Sequence, residues 1–143
     1  MKVRIKRIDK SLPLPVYETE GSVGFDLLTR ENTLIRSKET GLIPCNIIIE
    51  VPNGYVLVIT SRSSTPRKKG LLIPHGVGFI DQDYCGSDDE ILAQFYNFSN
   101  QDTLIKRGEK IAQGILLPVD IIEWQEVSEI RKQSRGGIGS TDK

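Results

Sequence analysis

The sequence has few of the residues that mark disulfide-stabilised or zinc-binding proteins. Its 143 residues include only two cysteines and one histidine, and they contain no CxxC pair. Cys45 and Cys85 are therefore expected to be free thiols with structural roles, as in a reducing compartment. His75 has no cysteine or second histidine nearby, so we expect it to be a loop residue and not a metal ligand.

The chain also lacks an excess of charge and any long apolar run. Its 19 basic and 19 acidic side chains balance, so no overall field attracts nucleic acid or an anionic membrane. Residues 1–6 alternate charged and aliphatic side chains where a signal peptide would need a continuous apolar stretch. We therefore predict a soluble, cytoplasmic, single-domain chain with no direct nucleic-acid binding and no membrane contact. Any anionic ligand must be bound locally.

Long helical patterns are missing as well, and short strand patterns take their place. Residues 3–8, 41–51 and 55–59 are rich in aliphatic and β-branched side chains. Glycine, proline and asparagine recur between such runs at near-regular intervals, which is typical of a β-sandwich or barrel. We expect at most one helical turn, at residues 63–69, and Pro66 within it weakens even that expectation.

Two short segments give further local predictions. Pro52-Asn53-Gly54 lies between two apolar runs and predicts a hairpin, because Asn-Gly supplies the positive φ angles of a tight turn. Residues 131–143 are polar and glycine-rich with no core-forming pattern, which predicts a mobile terminus. The chain therefore divides into a β domain at 1–130 and a tail at 131–143. Trp124 is expected in the core or in a subunit contact.

Three polar segments carry groups that hold phosphate. Residues 61–65 follow an apolar strand and offer hydroxyls, backbone N–H groups and the Arg62 guanidinium. A polar strand end with Arg62 in a structural ion pair explains this segment equally well. Residues 107–110 are read first as a β-turn between two strands, and residues 135–141 as a flexible end. Asp26 follows a glycine turn and has no metal partner that the sequence alone identifies.

The segment at residues 76–86 differs because it combines glycines, an aromatic ring and carboxylates. Glycines let the backbone approach a ligand, and Tyr84 can stack on a nucleoside. Asp81 follows the apolar pair Phe79-Ile80, so we expect it to be partly buried and able to act as a general base on water. A turn aspartate and a half-buried strand tyrosine are the alternatives.

Five separated segments together resemble the trimeric dUTPases, and they occur in the order of that family. They are residues 24–27, 61–64, 78–86, 107–113 and 135–141. The third (GFIDQDYCG) and the fourth (RGEKIAQ) are specific, whereas the first two would match many chains. The resemblance implies an all-β fold, a distorted β-barrel or jelly-roll, in a homotrimer with active sites shared between chains. It also implies an enzyme of nucleotide metabolism that hydrolyses dUTP to dUMP and pyrophosphate with Mg²⁺ and so keeps uracil out of DNA.

The same resemblance implies roles for individual residues. Asp81 would orient and deprotonate the attacking water, and Tyr84 would pack on the deoxyribose so that a ribose 2′-hydroxyl has no room. Asp26 would contact the water shell of a Mg²⁺ ion held mainly by the substrate phosphates. The other substrate-binding residues implied are Arg62, Ser63, Ser64 and Gln113 at the phosphates, Gly78, Phe79 and Ile80 at the uracil, and Arg135, Ile138, Gly139, Ser140 and Thr141 in a tail that folds over the nucleotide.

The sequence departs from the family in three places. Ile138 stands where the family usually has an aromatic ring over the uracil, and the tail segment around it is shortened. Ser61 replaces the usual proline before Arg62, and residues 87–90 form an acidic stretch longer than the common version. Weaker stacking on the base is the expected consequence at Ile138.

Two other functions remain as hypotheses. The related dCTP deaminases share the barrel but need a glutamate as proton shuttle where this chain has Gln94, and an amide cannot shuttle protons. Glu90 is the nearby carboxylate that keeps deamination, or a bifunctional deaminase-dUTPase, open. A non-catalytic barrel that binds nucleotides or only assembles as a trimer is the third hypothesis, against which Asp81 argues.

Overall fold

A computed structural model of the chain describes residues 1–131, 133–134 and 136. Within them the backbone forms eleven short strands and one five-residue helix. The elements are β1 (Ile5–Arg7), β2 (Phe25–Leu28), β3 (Thr33–Ile35), β4 (Thr40–Pro44), β5 (Ile47–Ile49), β6 (Tyr55–Ser61), α1 (Thr65–Lys69), β7 (Leu71–Leu72), β8 (Gly78–Ile80), β9 (Leu92–Asn97), β10 (Thr103–Ile105) and β11 (Lys110–Pro118). The all-β prediction is confirmed.

Hydrogen bonding groups these strands into four small sheets, and every pairing between them is antiparallel. The largest sheet has the order β2-β11-β6-β8, and a three-stranded sheet has the order β4-β9-β7. β1 pairs with β5, and β3 pairs with β10. Several of these neighbours are distant in sequence, so the fold is held by pairings that no local turn specifies.

The core is a single cluster of aliphatic side chains to which all four sheets contribute. β9 shows how the sequence builds it, because its buried and more exposed residues alternate along the strand. Ala93 and Phe95 point inward, while Leu92 and Gln94 point to solvent. Phe95 is the largest fully buried side chain and lies near the centre of the cluster.

Gly114 on β11 provides a test of how tightly this core is packed. A Cβ atom added there would lie 2.7 Å from the Phe25 Cζ and 3.2 Å from the Leu57 Cδ1. Gly114→Ala should therefore lower the free energy of unfolding by about 1–3 kcal/mol, measured by urea denaturation. Gly21→Ala is the control, because nothing lies within 4 Å of a Cβ at that position. Equal stability of the two variants would show that the Phe25 ring moves aside without cost.

The single helical turn is confirmed at Thr65–Lys69. Pro66 lies in its first turn, where the missing N–H would have no intrahelical partner, so the reservation about this proline was wrong. The helix ends at Gly70, whose φ of 66° is the left-handed conformation common after a helix.

The hairpin prediction at residues 52–54 is wrong, although the turn itself is present. Gly54 has a φ of 77°, and the Tyr55 N–H donates to the Pro52 carbonyl at 3.0 Å. The flanking strands nevertheless belong to different sheets, since β5 pairs with β1 and β6 pairs with β11 and β8. All three residues of β5 are buried, so packing on the core decides its partner.

The remaining expectations concern single residues and the chain as a whole. Cys45 and Cys85 are free thiols as predicted, and burial raises the pKa of Cys45 to about 12. His75 lies in an exposed loop, also as predicted.

Trp124 is 86% exposed in a segment without strand or helix, so its placement in the core of this chain is wrong. None of the helices in the described residues has the length and apolar character needed to cross a membrane.

Candidate active site

Three polar residues lie side by side on adjacent strands of the largest sheet. Two of them, Asp26 and Gln113, are predicted site residues, and the third is Thr60. Gln113 of β11 lies opposite Asp26 of β2 on one side and opposite Thr60 of β6 on the other. Cross-strand neighbours of this kind present their side chains on the same face of a sheet. β6 ends at Ser61, and Arg62 follows directly, so the first, second and fourth family-like segments meet at this end of the sheet.

Asp26 is the electrostatic centre of this end. Its Oδ1 lies 2.8 Å from the Arg62 Nε, and its Oδ2 lies 3.0 Å from the Lys110 Nζ. The Lys110 ammonium also donates to the Glu18 carboxylate, and the hydrogen bonds to Glu18 and then to Asp26 raise the pKa of Lys110. The structural ion pair considered for Arg62 is therefore present, but 35% of the Arg62 side chain stays exposed. Two cations thus flank one carboxylate beside Gln113.

A divalent cation at the same carboxylate would have to share its oxygens with Arg62 and Lys110. The Asp26 Oδ2 is buried, and the Lys110 ammonium lies 3.0 Å from it. Carboxylate oxygens are the ligands that Mg²⁺ prefers. Among the residues that the structure describes, no group of three or more histidine, cysteine or acidic side chains could hold a metal. A Mg²⁺ ion at Asp26 would thus need other ligands.

Ser63 and Ser64 follow Arg62 in sequence, and Gln113 lies on the neighbouring strand β11. Ser63 is exposed, and Ser64 is half-buried at the start of α1 without a side-chain hydrogen bond that caps the helix. Gln113 donates from its Nε2 to the Ser61 carbonyl at 3.4 Å, which directs the amide toward the same loop. The predicted phosphate-binding residues of the β domain are therefore brought together.

The third family-like segment begins with an edge strand. Gly78, Phe79 and Ile80 form β8, which within the described residues pairs only with β6. One edge of the β8 backbone is therefore free to hydrogen-bond a ligand. Phe79 is 64% exposed, whereas Ile80 packs against the core.

Asp81 follows β8 and lies in an open cleft of about 420 Å³ that also includes Tyr55 and Val119. Gln82 anchors the loop, because its Nε2 donates to the Tyr55 carbonyl at 3.0 Å. The Asp81 side chain is exposed in the single chain, so the expectation of partial burial is wrong here. The strand ends at Ile80, and the residue after it is the first to leave the packed sheet.

Tyr84 lies in the turn after Asp81 and not on a strand, so the strand alternative is wrong. Its backbone N–H donates to the Asp81 carbonyl at 3.3 Å, and its hydroxyl donates to the Glu90 carbonyl at 3.2 Å. The residue is 37% exposed. The ring is thus held beside the Asp81 loop with part of its surface accessible to a ligand.

The sheet keeps these two groups of residues far apart within one chain. Ile80 lies opposite Leu57, which places Asp81 beside Val56 at the start of β6. Arg62 follows the other end of that strand, six residues further on, or about 20 Å at roughly 3.3 Å per residue. Asp81 and Arg62 of the same chain therefore cannot contact the same phosphate group.

The structure also shows where Glu90 and Gln94 lie, the carboxylate and the amide on which the deaminase hypothesis depends. Gln94 is exposed on β9, which belongs to the three-stranded sheet and not to the sheet that carries Asp81. Glu90 is only 12% exposed and accepts from the Arg30 Nε and from the Asn46 N–H. The Glu90 carboxylate is therefore already hydrogen-bonded to residues of the β domain. The tail predictions, Arg135, Ile138, Gly139, Ser140 and Thr141, lie outside the described residues.

Sequence reasoning missed Lys110 and Glu18 as members of this site. Lys110 was part of a family-like segment without a role of its own, and Glu18 lies in a loop 92 residues away. The charge of the two side chains is visible in the sequence, but their contact depends on the pairing of β2 with β11. No local signal would have found the pair.

Comparisons with known proteins show which family the chain resembles. A family model described as dUTPase matches residues 10–142. The chain is 41% identical to a deoxyuridine 5′-triphosphate nucleotidohydrolase of Dictyoglomus turgidum over 147 aligned positions, which cover 99% of this chain and 98% of the relative. It superposes on the crystal structure of a dUTPase from Streptococcus mutans with a TM-score of 0.78 and 35% identity, over 84% of this chain and 98% of that one.

A third similarity concerns fold and a metal ion. A dUTPase from phage phi11 of S. aureus superposes with a TM-score of 0.81 at 21% identity, over 90% of this chain and 98% of the phage chain, and is described with a structural Mg(II) ion. At that identity the likeness shows the fold alone. The distorted all-β jelly-roll architecture is confirmed by these structural neighbours.

Proposed function

This chain belongs to the dUTPase family, and from that premise we propose that it is a dUTP diphosphatase, which hydrolyses dUTP to dUMP and pyrophosphate in nucleotide metabolism. The observation that carries the proposal is Asp81, an exposed carboxylate in a cleft beside the Tyr84 ring and the free backbone edge of β8. A carboxylate, a stacking ring and unpaired backbone groups are what a nucleoside-binding hydrolase needs at one place.

The proposed chemistry begins with Asp81 as general base. Its carboxylate accepts a proton from a water molecule, whose oxygen attacks the α-phosphorus as the bond to the bridging oxygen of the β-phosphate breaks. The β8 backbone would read the uracil through hydrogen bonds from Gly78 to Ile80. Tyr84 would pack on the deoxyribose.

Phosphate binding is proposed at the opposite end of the sheet. Arg62, Ser63, Ser64 and Gln113 would contact the phosphates, since residues with guanidinium, hydroxyl and amide groups lie together at the end of β6 and on the adjacent β11. Mg²⁺ would offset negative charge on the phosphates, and the Asp26 carboxylate, which also pairs with Arg62 and Lys110, would contact its water shell. Because the described residues offer no protein cage for a metal, the phosphates themselves would supply most of the ligands.

We propose that a homotrimer completes each site, with Asp81 from one chain and Arg62 from another. The separation of these two residues within a chain supports this arrangement. A second support is the apolar surface between residues 119 and 130, where Ile121, Trp124 and Ile130 are 84%, 86% and 90% exposed. Exposed apolar side chains of this size in one segment are typical of a protein interface.

The proposed domain division gives a prediction about the tail. Residues 1–130 would form the barrel domain, and residues 131–143 would close over the bound nucleotide through Arg135, Ile138, Gly139, Ser140 and Thr141. Ending the chain at Ser134 is expected to lower kcat/KM for dUTP about tenfold or more, because the cover and its phosphate contacts are lost.

This truncation has a matched control. A chain that ends at Thr141 removes only the last two residues and should keep nearly full activity. Circular dichroism should show the same fold for both. Full activity in the chain that ends at Ser134 would contradict the proposed role of the tail.

The activity itself is tested by product analysis. Incubation with dUTP and Mg²⁺ should release pyrophosphate and dUMP, and incubation with dCTP should release no ammonia. Ammonia from dCTP would support a deaminase, against which the contacts of the partly buried Glu90 with Arg30 and the exposed Gln94 argue. A protein that depletes neither nucleotide would be a binding protein, and the proposal would be wrong.

We also propose a cytoplasmic location and no direct binding of nucleic acid. Both described cysteines are free thiols, which is typical of reducing compartments. The equal numbers of acidic and basic side chains give no general attraction for a polyanion.

A further inference from the structure

The acidic stretch at residues 87–90 folds into a closed turn after Gly86. The Gly86 N–H donates to the Asp89 Oδ2 at 2.6 Å, and the Glu90 N–H donates to the Asp88 carbonyl at 2.8 Å. Lys6 of β1 reaches across to the Ser87 carbonyl at 2.9 Å. The stretch is therefore an ordered piece of the barrel wall, with its backbone held at both ends.

Glu90 fixes the end of this turn to the barrel. The Arg30 Nε lies 2.9 Å and 3.1 Å from its two carboxylate oxygens, and the Asn46 N–H donates to one of them at 2.7 Å. Glu90 is 12% exposed at its side chain, and Arg30 follows β2. The Arg30 side chain is 30% exposed, but the Glu90 carboxylate is largely shielded from water, so its hydrogen bonds hold it more tightly than those of a fully exposed pair.

Tyr84 is attached to this fixed point. Its hydroxyl donates to the Glu90 backbone carbonyl at 3.2 Å, and its N–H donates to the Asp81 carbonyl at 3.3 Å. The Tyr84 hydroxyl is thus hydrogen-bonded to Glu90, and the Tyr84 backbone is hydrogen-bonded to Asp81, the proposed general base. Its position depends on the Arg30–Glu90 pair as well as on its own turn.

We propose that Glu90 and Arg30 are positioning residues for Tyr84 and thereby determine discrimination between deoxyribose and ribose, an inference that rests on the proposed dUTPase function. A ring excludes a 2′-hydroxyl only if it cannot move away when the bulkier sugar binds. The hydrogen bond to Glu90 opposes that movement, and the ion pair keeps its acceptor in place. Neither residue contacts the substrate in this account.

The direct test compares dUTP with UTP. Tyr84→Phe keeps the ring but removes the hydroxyl that binds Glu90, so the ratio of kcat/KM for dUTP to that for UTP should fall about fivefold, the change that corresponds to one hydrogen bond of about 1 kcal/mol. Most of the change should be a rise in kcat/KM for UTP. Glu90→Ala should lower the ratio at least as much, and Glu90→Gln, which keeps an acceptor for the Asn46 N–H, should lower it less.

A matched control is present on the same arginine. Glu31 lies 3.3 Å from the Arg30 Nη1 but is 57% exposed, and no hydrogen bond from it reaches the Tyr84 turn among the described residues. Glu31→Gln should leave both activities and their ratio unchanged. It removes one carboxylate from Arg30 just as Glu90→Gln does.

The outcomes separate this inference from the function on which it rests. A wild-type protein that does not hydrolyse dUTP overturns the proposed function. An active wild type together with a Tyr84→Phe variant of unchanged selectivity overturns the positioning role, and so does an equal loss of activity toward both nucleotides. If Glu90→Ala does not fold, Glu90→Gln still tests the ion pair, and an unchanged ratio in that variant overturns the role of Glu90 and Arg30. Tyr84→Phe separately tests the hydrogen bond from the exposed Tyr84 hydroxyl to the Glu90 carbonyl.

Discussion

Asp81→Asn should reduce kcat for dUTP by about a hundredfold or more, which is the scale expected when a general base is lost. Asparagine has nearly the same shape as aspartate and can still hold a water molecule through its amide oxygen. It cannot accept the proton that water must lose when it attacks phosphorus. Substrate should therefore still bind, while turnover fails.

The measurement has two parts. Pyrophosphate release gives kcat, and calorimetry with a non-hydrolysable α,β-imido analogue of dUTP gives the affinity, which should stay within about threefold of wild type because the phosphate contacts are intact. The Asp81 side chain is exposed in the chain, so we expect no loss of stability that would confuse the result.

Asp88→Asn is the matched control, because Asp88 is an exposed carboxylate in the neighbouring acidic turn whose hydrogen bonds to other described residues use only its backbone carbonyl. Its kcat should equal that of wild type. Unchanged turnover in Asp81→Asn would assign the base to another residue.

The sequence predicted the parts of this fold that depend on local patterns. Short apolar runs separated by turn residues correctly indicated strands, and β6 shows why, since the β-branched and aromatic side chains at residues 55–59 favour an extended backbone locally. The partners of each strand could not be predicted in the same way. The turn at Gly54 has the expected positive φ, yet it joins two sheets, because burial of β5 on the core outweighs the pairing that a turn suggests.

The candidate site was predictable to a similar extent. The segment that contains Asp81 and Tyr84 was identified from glycines, an aromatic ring and carboxylates close together in sequence. The exposure of Asp81 could not be predicted from the two apolar residues before it. They face opposite ways, since Phe79 points to solvent and Ile80 points to the core. Contacts such as Arg30 with Glu90, 60 residues apart, exist only once the strands have paired.

The long separation of Asp81 from Arg62 has a chemical consequence. A general base must lie within a few ångströms of the water that it activates, and that water must lie at the α-phosphorus. Arg62 must also contact the same triphosphate if it is to stabilise negative charge on it. With about 20 Å between the two residues along β6, the proposed homotrimer meets both requirements by combining two chains in each site.

Mixing two inactive variants tests this central claim most directly. Asp81→Asn and Arg62→Ala should each have little activity alone, and trimer formation is checked by light scattering. When they are co-expressed in equal amounts, roughly a quarter of the shared sites should combine an intact Asp81 with an intact Arg62 by random assortment. Pyrophosphate release from dUTP should recover in that proportion, whereas Asp81→Asn mixed with Asp81→Ala should recover nothing. No recovery in the first mixture, with trimers present, would contradict the account, because it would place Asp81 and Arg62 of the same chain in one site.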